Sequence, residues 1–368
     1  MTSLPGLYVH IPFCRVKCRF CAFAAYPGRM NDIPRYLSAL GKEIQSLPAT
    51  TIDTLYFGGG TPTVLRPDQW RVLTEVFRDG IKITDGAEIT VECNPEDSGG
   101  ELFSTLREAG VNRLSVGLQA AQDRHLSALG RLHGWARFEK AWEDARAAGF
   151  KNLNVDLLYG LPDQTMDEWK ETLEKVLVLG PEHLSAYALT VEEKTAFGHR
   201  GLETDDDLQA DMYEFLADRM ESAGFSHYEI SNFARPGFEC RHNLKYWRNE
   251  DCLGAGVSAA WYQDGVRRKN TENLTEYMEA VEAGRSPVVE NIRLSEPERV
   301  GENLMLGLRT REGAFLTDRA EVLYGGVLRR HEADGLLVLK NGRALPTRRG
   351  WLLSNRLFRD LLSPAESP

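Results

Sequence analysis

The stretch "CRVKCRFCAF", Cys14 to Phe23, concentrates three of the chain's six cysteines in eight positions. Three residues and then two separate the successive thiols, so one short loop can place three thiolates against one face of a small inorganic cluster. The remaining cysteines stand far away in the sequence, at Cys93, Cys240 and Cys252. A structural zinc site would need one of them as its fourth ligand. The clustered thiols Cys14, Cys18 and Cys21 therefore favour a [4Fe–4S] cluster with one iron left open for an exchangeable ligand.

The composition is that of an ordinary globular protein. The chain has 368 residues, of which 42% are hydrophobic and 27% charged, and this length suits about two domains. No window approaches the ~20 apolar residues of a membrane span, and the N-terminus lacks the pattern of a secretory signal. The sequence thus predicts a cytoplasmic location, where reduced cysteines act as metal ligands or catalytic groups more often than as disulfides.

The net charge of −10 is unevenly distributed. From residue 291 to the end there are thirteen Lys and Arg against ten Asp and Glu, which leaves −13 on the first 290 residues. This acidic balance argues against a nucleic-acid binder. The basic tail allows at most peripheral contact with a membrane surface or an acidic partner, and a solvated face is the simpler interpretation.

Six β-rich runs alternate with amphipathic segments in the first half of the chain, which is typical of parallel strands joined by crossover helices. The runs are Leu7–Ile11, Thr54–Phe57, Glu88–Glu92, Arg113–Leu118, Leu153–Leu158 and Leu184–Leu189. They predict an α/β fold of six βα units.

The alternation stops after Pro287. Two short helical patterns and a hairpin follow, and the hairpin turn is marked by Asn341-Gly342. We expect a first domain over residues 1–290 and a small winged-helix-like α+β domain over residues 291–368.

The order of these motifs resembles the radical S-adenosylmethionine (SAM) superfamily. Its signature, Cys-x3-Cys-x2-Cys, stands directly after the first predicted strand, and "FGGGTPT" (Phe57–Thr63) follows the second. Glycines without Cβ let a backbone approach a ligand closely. The resemblance implies a partial (β/α)6 barrel that holds a [4Fe–4S] cluster on the three cysteines, with SAM at the open iron.

The ends of the predicted strands support a site independently. In parallel αβ barrels the active site lies at the carboxyl ends of the strands. Those ends carry glycines at 58–60 and then the polar residues Glu92, Gln119 and Asp156. A series of strands that each end in a hydrogen-bonding group predicts a single binding site at the carboxyl end of the barrel, lined by many groups that can contact a ligand.

Within the superfamily the chain is most similar to the coproporphyrinogen dehydrogenase-like branch, through "YVHIPFC", "ECNP", "RLSVGLQ" and "DLLYGLP" as well. The resemblance implies that SAM is bound by Tyr8, Phe20, Gly58, Gly59, Gly60, Thr61, Glu92, Gln119, Arg131 and Asp156. Arg131 can pair with the methionyl carboxylate, while Gln119 and Asp156 can bond ribose hydroxyls or the amino-acid end.

Two features of this sequence differ from the oxidising enzymes of that branch. They carry a further cysteine two residues beyond the third, where this chain has Phe23, and a longer segment before the first strand, where this chain has six residues before Leu7. Members without that cysteine resemble the HemW-type haem chaperones, which bind haem and deliver it to client proteins.

The segment from His242 to Trp247 resembles the HNxxYW motif of the haem-chaperone group. His242 can supply an imidazole to iron, Cys240 a thiolate, and Tyr246 and Trp247 flat faces for a porphyrin. A histidine near two aromatic residues can also be a packed, hydrogen-bonded core residue, so the haem ligand stays open.

The sequence therefore predicts a haem chaperone that carries a [4Fe–4S] cluster and SAM, binds haem as cargo, and transfers it to an acceptor such as a membrane-bound respiratory protein. The alternative is an oxygen-independent coproporphyrinogen III dehydrogenase, and a third reading is a structural zinc protein without SAM. The client and the oligomeric state, including a homodimer, stay open.

Overall fold

The computed structural model describes residues 3–48, 50–78 and 81–362. The strands are β1 Gly6–Ile11, β2 Phe13–Cys14, β3 Tyr26–Pro27, β4 Thr50–Gly59, β5 Ile81–Cys93, β6 Arg113–Gln119, β7 Leu153–Tyr159, β8 His183–Ala188, β9 Ser226–Glu229, β10 Asn232–Ala234, β11 Cys252–Ala255, β12 Ala260–Gln263, β13 Val266–Asn270, β14 Val288–Arg293, β15 Ala314–Phe315, β16 Leu337–Lys340 and β17 Arg343–Pro346. The helices are α1 Ile33–Ser46, α2 Pro67–Glu75, α3 Gly100–Glu108, α4 Asp123–Leu129, α5 Trp135–Ala147, α6 Met166–Val178, α7 Asp206–Ser222, α8 Arg241–Trp247, α9 Leu274–Glu282, α10 Glu296–Gly307, α11 Asp318–Ala333, α12 Arg348–Leu352 and α13 Ser354–Leu362.

One twelve-stranded sheet dominates the molecule, in the order β14-β13-β12-β11-β1-β4-β5-β6-β7-β8-β10-β9. The six predicted strands are confirmed as β1 and β4 to β8, and each pairs in parallel with the next. Within the described residues the sheet ends at β14 and β9, so the α/β barrel is partial, as predicted. The sequence did not reveal β11, which pairs in parallel with β1, or the antiparallel strands that extend the sheet beyond β11 and beyond β8.

Alternate residues of the parallel strands face two different environments, because successive side chains of a strand point to opposite faces. On β6 the apolar residues Leu114, Val116 and Leu118 are fully buried in the hydrophobic core. The residues between them line an interior cavity, namely Arg113, Ser115, Gly117 and Gln119. The inner face of this barrel is therefore polar, which suits a binding site better than a packed core.

The crossover helices cover the outer face of the sheet. In α6 the hydroxyl of Thr165 caps the helix by accepting a hydrogen bond from the backbone N–H of Glu168. The buried residues of this helix recur at helical spacing, as Trp169, Thr172, Leu173 and Val176. Trp169 is fully buried, and its truncation to Ala would cost about 3–5 kcal/mol.

The short helix α8 closes the amino-terminal end of the barrel. Its first backbone N–H groups, at Arg241 and His242, each donate to the carboxylate of Glu88 on β5 at 3.0 Å. Lys245 is 4% exposed, and its ammonium donates to the carbonyl of Leu4 at 2.6 Å and pairs with Asp53 at 2.9 Å. These contacts hold α8 as a floor beneath the barrel interior.

The C-terminal unit has its own hydrophobic core, whose buried residues run from Leu304 to Leu361. It contains the two predicted helices as α10 and α11 and the predicted hairpin as β16–β17. The strand β15, which pairs with β17, was not predicted. The hairpin turns at Asn341 and Gly342, with φ of 53° and 70°, as a two-residue type I′ turn requires. The predicted domain boundary at 290/291 falls inside β14.

Across residues 3–48, 50–78 and 81–362, none of the helices has the length and apolar character needed to cross a bilayer.

Candidate functional site

The polar interior opens into a cavity of about 480 Å³ at the carboxyl ends of the parallel strands. We call it the thiol cavity, because Cys14, Cys18 and Cys21 all line it. The exposed Phe23 also lines it. The structure brings eight of the ten predicted SAM residues to the same wall: Phe20, Gly59, Gly60, Thr61, Glu92, Gln119, Arg131 and Asp156.

The loop of the three cysteines is fixed to the barrel by neighbouring elements. The Cys14 thiol is 3.3 Å from the Thr61 hydroxyl, and the Cys18 sulfur accepts a hydrogen bond from the Arg131 guanidinium at 3.6 Å. The ring of His10 on β1 bonds the carbonyl of Ala24 at 3.0 Å, and burial lowers the pKa of that imidazole to about 4. A neutral His10 therefore ties the end of the loop to the first strand.

Burial favours the protonated form of two of the cluster cysteines, Cys14 and Cys21. Burial raises the pKa of Cys14 to about 12 and also raises that of Cys21. A metal that binds these sulfurs must release their protons, which couples loading to pH.

The glycine turn after β4 brings backbone into the wall of the cavity. Gly59 has φ +112°, and a Cβ there would lie 2.5 Å from the His10 ring. A Cβ on Gly58 would lie 3.0 Å from the Glu92 carboxylate. The Gly59 N–H donates to that carboxylate at 3.0 Å. Glycine at these two positions therefore lets the turn, the imidazole and the carboxylate occupy the same small space.

Two buried carboxyl groups face the cavity. Glu92 accepts a hydrogen bond from the Tyr56 hydroxyl at 2.9 Å, and burial together with the nearby Asp156 raises the pKa of Glu92 to about 7. Asp156 accepts from Ser115 at 3.0 Å and from the Asn154 amide at 2.7 Å, and burial raises its pKa too. The two carboxyl groups can accept hydrogen bonds from the hydroxyls of a ligand. They can also offset the charge of a cationic ligand.

Arg131 is held from several sides. Its guanidinium donates to the Asn94 side chain at 2.6 Å and to the Gly117 carbonyl at 2.7 Å. Its Nε is buried and has no hydrogen-bond partner among the described residues.

Gln119 lies nearby with φ +76°, a left-handed conformation that is rare for residues other than glycine. The end of β6 is thus bent where the strand reaches the cavity.

Tyr8 and Gly58 are the two predicted SAM residues that do not line the thiol cavity. The Tyr8 ring stacks on Tyr56 at a centroid distance of 6.2 Å, and its hydroxyl bonds the His10 ring at 2.9 Å. Tyr8 therefore lies behind the cavity wall, where it supports a residue that lines it.

Of the motif on α8, Asn243 lines the thiol cavity, whereas His242, Tyr246 and Trp247 do not. His242 is 1% exposed; its Nδ1 bonds the Thr54 hydroxyl and its Nε2 bonds the Tyr246 hydroxyl, both at 2.9 Å. Tyr56 stacks on the His242 ring at 5.2 Å and lies between it and the cavity. Haem ligation by His242 stays a prediction, and it would require one of these hydrogen bonds to be given up.

Cys240 and Cys252 lie beside the same floor. The Cys240 thiol donates to Glu88 at 3.5 Å, and the Cys252 sulfur is 3.8 Å from His242 Nε2. Burial raises the pKa of each thiol to about 12. Cys93, by contrast, lines the thiol cavity.

Several residues that line the thiol cavity were not predicted from the sequence. They are Tyr56, Asn94, Arg113, Ser115, Ser185, Tyr187 and Asn243. Most of them alternate with apolar residues along β4, β6 and β8, so the period-two pattern of polar positions carried the missing signal.

The site fits the two groups that the cysteine motif implies. Three thiols from one loop, a backbone turn and two carboxyls line one cavity of a size usual for cofactors. The orphaned Nε of Arg131 leaves a donor in its wall. No three His, Cys, Asp or Glu side chains in the described ranges converge on a single-ion site; a [4Fe–4S] cluster takes its cysteines on separate irons.

Two family models match the chain. Residues 8–176 match the radical SAM superfamily, and residues 294–353 match the HemN C-terminal domain.

Curated relatives match over nearly the whole length. The chain is 36% identical over 376 residues to the haem chaperone HemW of Mycobacterium tuberculosis, covering 97% of this chain and 94% of the relative. It is 36% identical over 373 residues to the haem chaperone HemW of Bacillus subtilis, with 96% and 98% covered.

Among solved structures, coproporphyrinogen III oxidase (HemN) from Escherichia coli, described as a radical SAM enzyme, superposes with a TM-score of 0.85 at 25% identity. The match covers 98% of this chain and 91% of that one.

Proposed function

This chain belongs to the HemW haem chaperone family of the radical SAM superfamily, and from that premise we propose that it binds haem as cargo and delivers it to an acceptor protein. The observation that carries the proposal is the 36% identity to proteins named haem chaperones over almost the full length of both chains. The HNxxYW segment supports it, because it supplies an imidazole and two aromatic side chains within six residues.

The thiol cavity is proposed to hold a [4Fe–4S] cluster on Cys14, Cys18 and Cys21. When bound, a three-cysteine cluster offers one iron without a protein ligand, at which SAM can coordinate. The Gly59–Thr61 turn supplies backbone groups at the cavity wall, while Glu92 and Asp156 face the positively charged end of SAM. Arg131 is proposed to receive the methionyl carboxylate.

The finer parts of the proposal concern partners and location. We propose a cytoplasmic protein that meets its acceptor, a membrane-bound respiratory protein, by at most peripheral membrane contact. A homodimer is compatible with this function.

The second candidate function is oxidative decarboxylation of coproporphyrinogen III. It is favoured by the TM-score of 0.85 to HemN. Phe23 weighs against it, because it stands where the resemblance places a cysteine in the oxidising enzymes. Phe23 is 69% exposed beside the cysteine loop, so the two functions differ at an accessible position.

An anaerobic assay separates the two functions. The cluster is reconstituted, SAM binding is verified, and reductant and coproporphyrinogen III are added; protoporphyrinogen and 5′-deoxyadenosine are then quantified by chromatography. We expect no product over several turnovers. Sustained product formation would establish the dehydrogenase and rule out the chaperone proposal in its present form.

Haem binding is tested directly by titrating the protein with ferric haem. We expect Tyr246→Ala, Trp247→Ala and His242→Ala each to weaken binding. His199→Ala, at an exposed histidine outside the motif, is the control and should bind as the wild type does. Unchanged affinity in all three motif variants would remove the motif from the haem site.

A further inference from the structure

A second cavity of about 470 Å³ lies between the end of α8 and the C-terminal unit. It is separate from the thiol cavity, and the residues that line the two do not overlap. Trp247, the last residue of α8, lies on one side, and Phe315 and Arg343 of the C-terminal unit lie on the other. We call it the aromatic cavity.

Its walls suit a flat apolar ligand. Trp247, Tyr262 and Phe315 present three aromatic rings, and Val300 and Leu304 add aliphatic surface. Aromatic rings pack well against other planar π systems in offset or edge-on arrangements. The volume lies within the range of about 300–1,000 Å³ that cofactor pockets occupy.

Two features show that this surface is not packed as an ordinary interior. Phe315 is 69% exposed, although it is a large aromatic residue, and the Arg343 guanidinium lies 3.5 Å above its ring. The indole N–H of Trp247 is buried without a hydrogen-bond partner among the described residues, and buried polar groups are usually paired. Both features leave apolar surface and a donor available to a ligand.

The cavity is lined by two arginines and one glutamate, so its lining carries a net positive charge that suits an anionic ligand. Arg248 and Arg343 both line it, and Arg248 is paired with a single carboxylate, Glu312, at 2.7 Å. The guanidinium of Arg343 donates to the Glu312 carbonyl at 2.8 Å, so its charge has no carboxylate partner within 4 Å in the described residues. Guanidinium groups bind carboxylates in well-defined geometry.

From this combination we propose that the aromatic cavity is the haem cargo site, with the porphyrin between Trp247 and Phe315 and its propionates toward Arg343 and Arg248. The inference rests on the proposed function, since it takes haem as the cargo. It places the cargo outside the thiol cavity, so haem and the cluster with SAM occupy different parts of the molecule.

Tyr262 is the protein ligand that the cavity offers to the iron. Among the described lining residues it is the side chain of a type that binds haem iron, since no histidine, cysteine or methionine lines this cavity. The Arg267 guanidinium lies 5.3 Å from the Tyr262 ring. His242 then acts by holding α8, and with it Trp247, in position.

The test is a titration of the full chain with ferric haem, followed by its absorption spectrum. Phe315→Ala removes exposed surface and leaves both hydrophobic cores intact; we expect at least a tenfold loss of haem affinity. Phe23→Ala makes the same change at the same exposure of 69% beside the thiol cavity, and should leave haem affinity unchanged. Val322→Ala, 74% exposed on α11, is the control within the C-terminal unit and should also bind as the wild type does.

The pattern of outcomes separates this inference from the proposed function. A loss of affinity in Phe23→Ala with normal binding by Phe315→Ala would place haem in the thiol cavity and overturn the inference. No haem binding by the wild-type chain would overturn the proposed function itself. Tyr262→Phe should shift the Soret band and remove the phenolate-to-iron charge-transfer band; a shift produced instead by His242→Gln would overturn the ligand assignment.

Discussion

The thiol cavity and the aromatic cavity have nearly the same volume, about 480 and 470 Å³, but opposite chemistry. The first contains four thiols, three of them on one loop, together with two buried carboxyls and a glycine turn. The second contains three aromatic rings and two arginines. Volume alone therefore does not identify a ligand, whereas the donor groups do: the first lining suits iron and a sulfonium compound, and the second suits a flat anionic ring.

Helix α8 connects the two cavities. Asn243 lines the thiol cavity and Trp247 lines the aromatic cavity. They are four residues apart, which is about 6 Å along a helix. Helix α8 is thus both the floor of the barrel and a wall of the aromatic cavity, so a shift of this helix caused by a ligand in one cavity would also move residues that line the other.

The largest expected effect concerns the cysteines. Replacing Cys14, Cys18 and Cys21 by Ala should reduce the iron of the reconstituted protein from about four per chain to near zero. Haem affinity should stay within about twofold, because the aromatic cavity contains no thiol. Iron analysis and haem titration on the same preparation measure both quantities.

Cys93→Ala is the matched control, since Cys93 lines the same cavity but lies outside the motif. It should retain the cluster. Simultaneous loss of iron and of haem binding in the triple variant would show that the two cavities are not independent sites.

The next effect concerns helix α8, which contributes to both cavities. His242→Ala removes a fully buried ring together with its bonds to Thr54 and Tyr246, so we expect a loss of about 4 kcal/mol in the free energy of unfolding. Haem affinity should also fall, because α8 loses its position. Urea unfolding and haem titration below the unfolding range give the two values.

His183→Ala is its partner experiment. His183 is equally buried and bonds Asn154 and Tyr228, but it lies on β8 and forms no hydrogen bond with α8 among the described residues. A similar loss of stability with normal haem affinity is expected. Equal loss of haem binding in both variants would mean that general destabilisation, rather than α8, accounts for the result.

Sequence reasoning predicted the parallel strands well because their βα pattern repeats six times with clear turn signals. The family resemblance also supplied eight of the residues that line the thiol cavity. Five of these, Gly59, Gly60, Glu92, Gln119 and Asp156, could be predicted from the strand ends alone, since the strand ends of parallel sheets meet at one edge. The edge strands β9 to β14 were missed because they are short and, in β14, exposed on both faces, so their residues carry no hydrophobic alternation.

The aromatic cavity could not be predicted for a different reason. Its walls come from α8, β12, α10 and β15, which are distant in sequence and meet only after the C-terminal unit docks on the barrel. Docking depends on single contacts such as the bridge between Glu229 and Thr310 and the Arg309 guanidinium 4.3 Å over Trp247. A pattern within one segment cannot show such tertiary contacts.

A smaller effect concerns how the free energy of unfolding depends on pH. The folded-state pKa of Glu92 is raised to about 7 from 4.5, so the folded protein keeps this proton longer than the unfolded chain. The stability that it contributes is present below about pH 4.5 and is lost as pH rises through 7. Glu92→Gln keeps a neutral side chain, and should raise stability at pH 8 by at most about 3 kcal/mol; urea unfolding at pH 5 and pH 8 measures the difference.

Glu229→Gln provides the comparison outside the cavity. Burial raises the pKa of Glu229 to about 7 as well, so this variant should flatten the pH dependence of stability in the same way. Only Glu92→Gln should weaken SAM binding, measured by calorimetry on cluster-loaded protein. Equal SAM affinity in the two variants would exclude Glu92 from the SAM site.

The smallest effect is the coupling between the cavities through α8. If Asn243 and Trp247 move as parts of one helix, SAM added to the cluster-loaded protein should change haem affinity by about fivefold, a coupling free energy near 1 kcal/mol. By linkage, haem should change SAM affinity by the same factor. Calorimetric titrations of haem with and without SAM, and of SAM with and without haem, should therefore give the same coupling free energy. Asn243→Ala should reduce the coupling toward zero, while Arg241→Ala, on the same helix but paired with Asp53 outside both cavities, should preserve it. Equal haem affinity with and without SAM in the wild type would make α8 a passive wall.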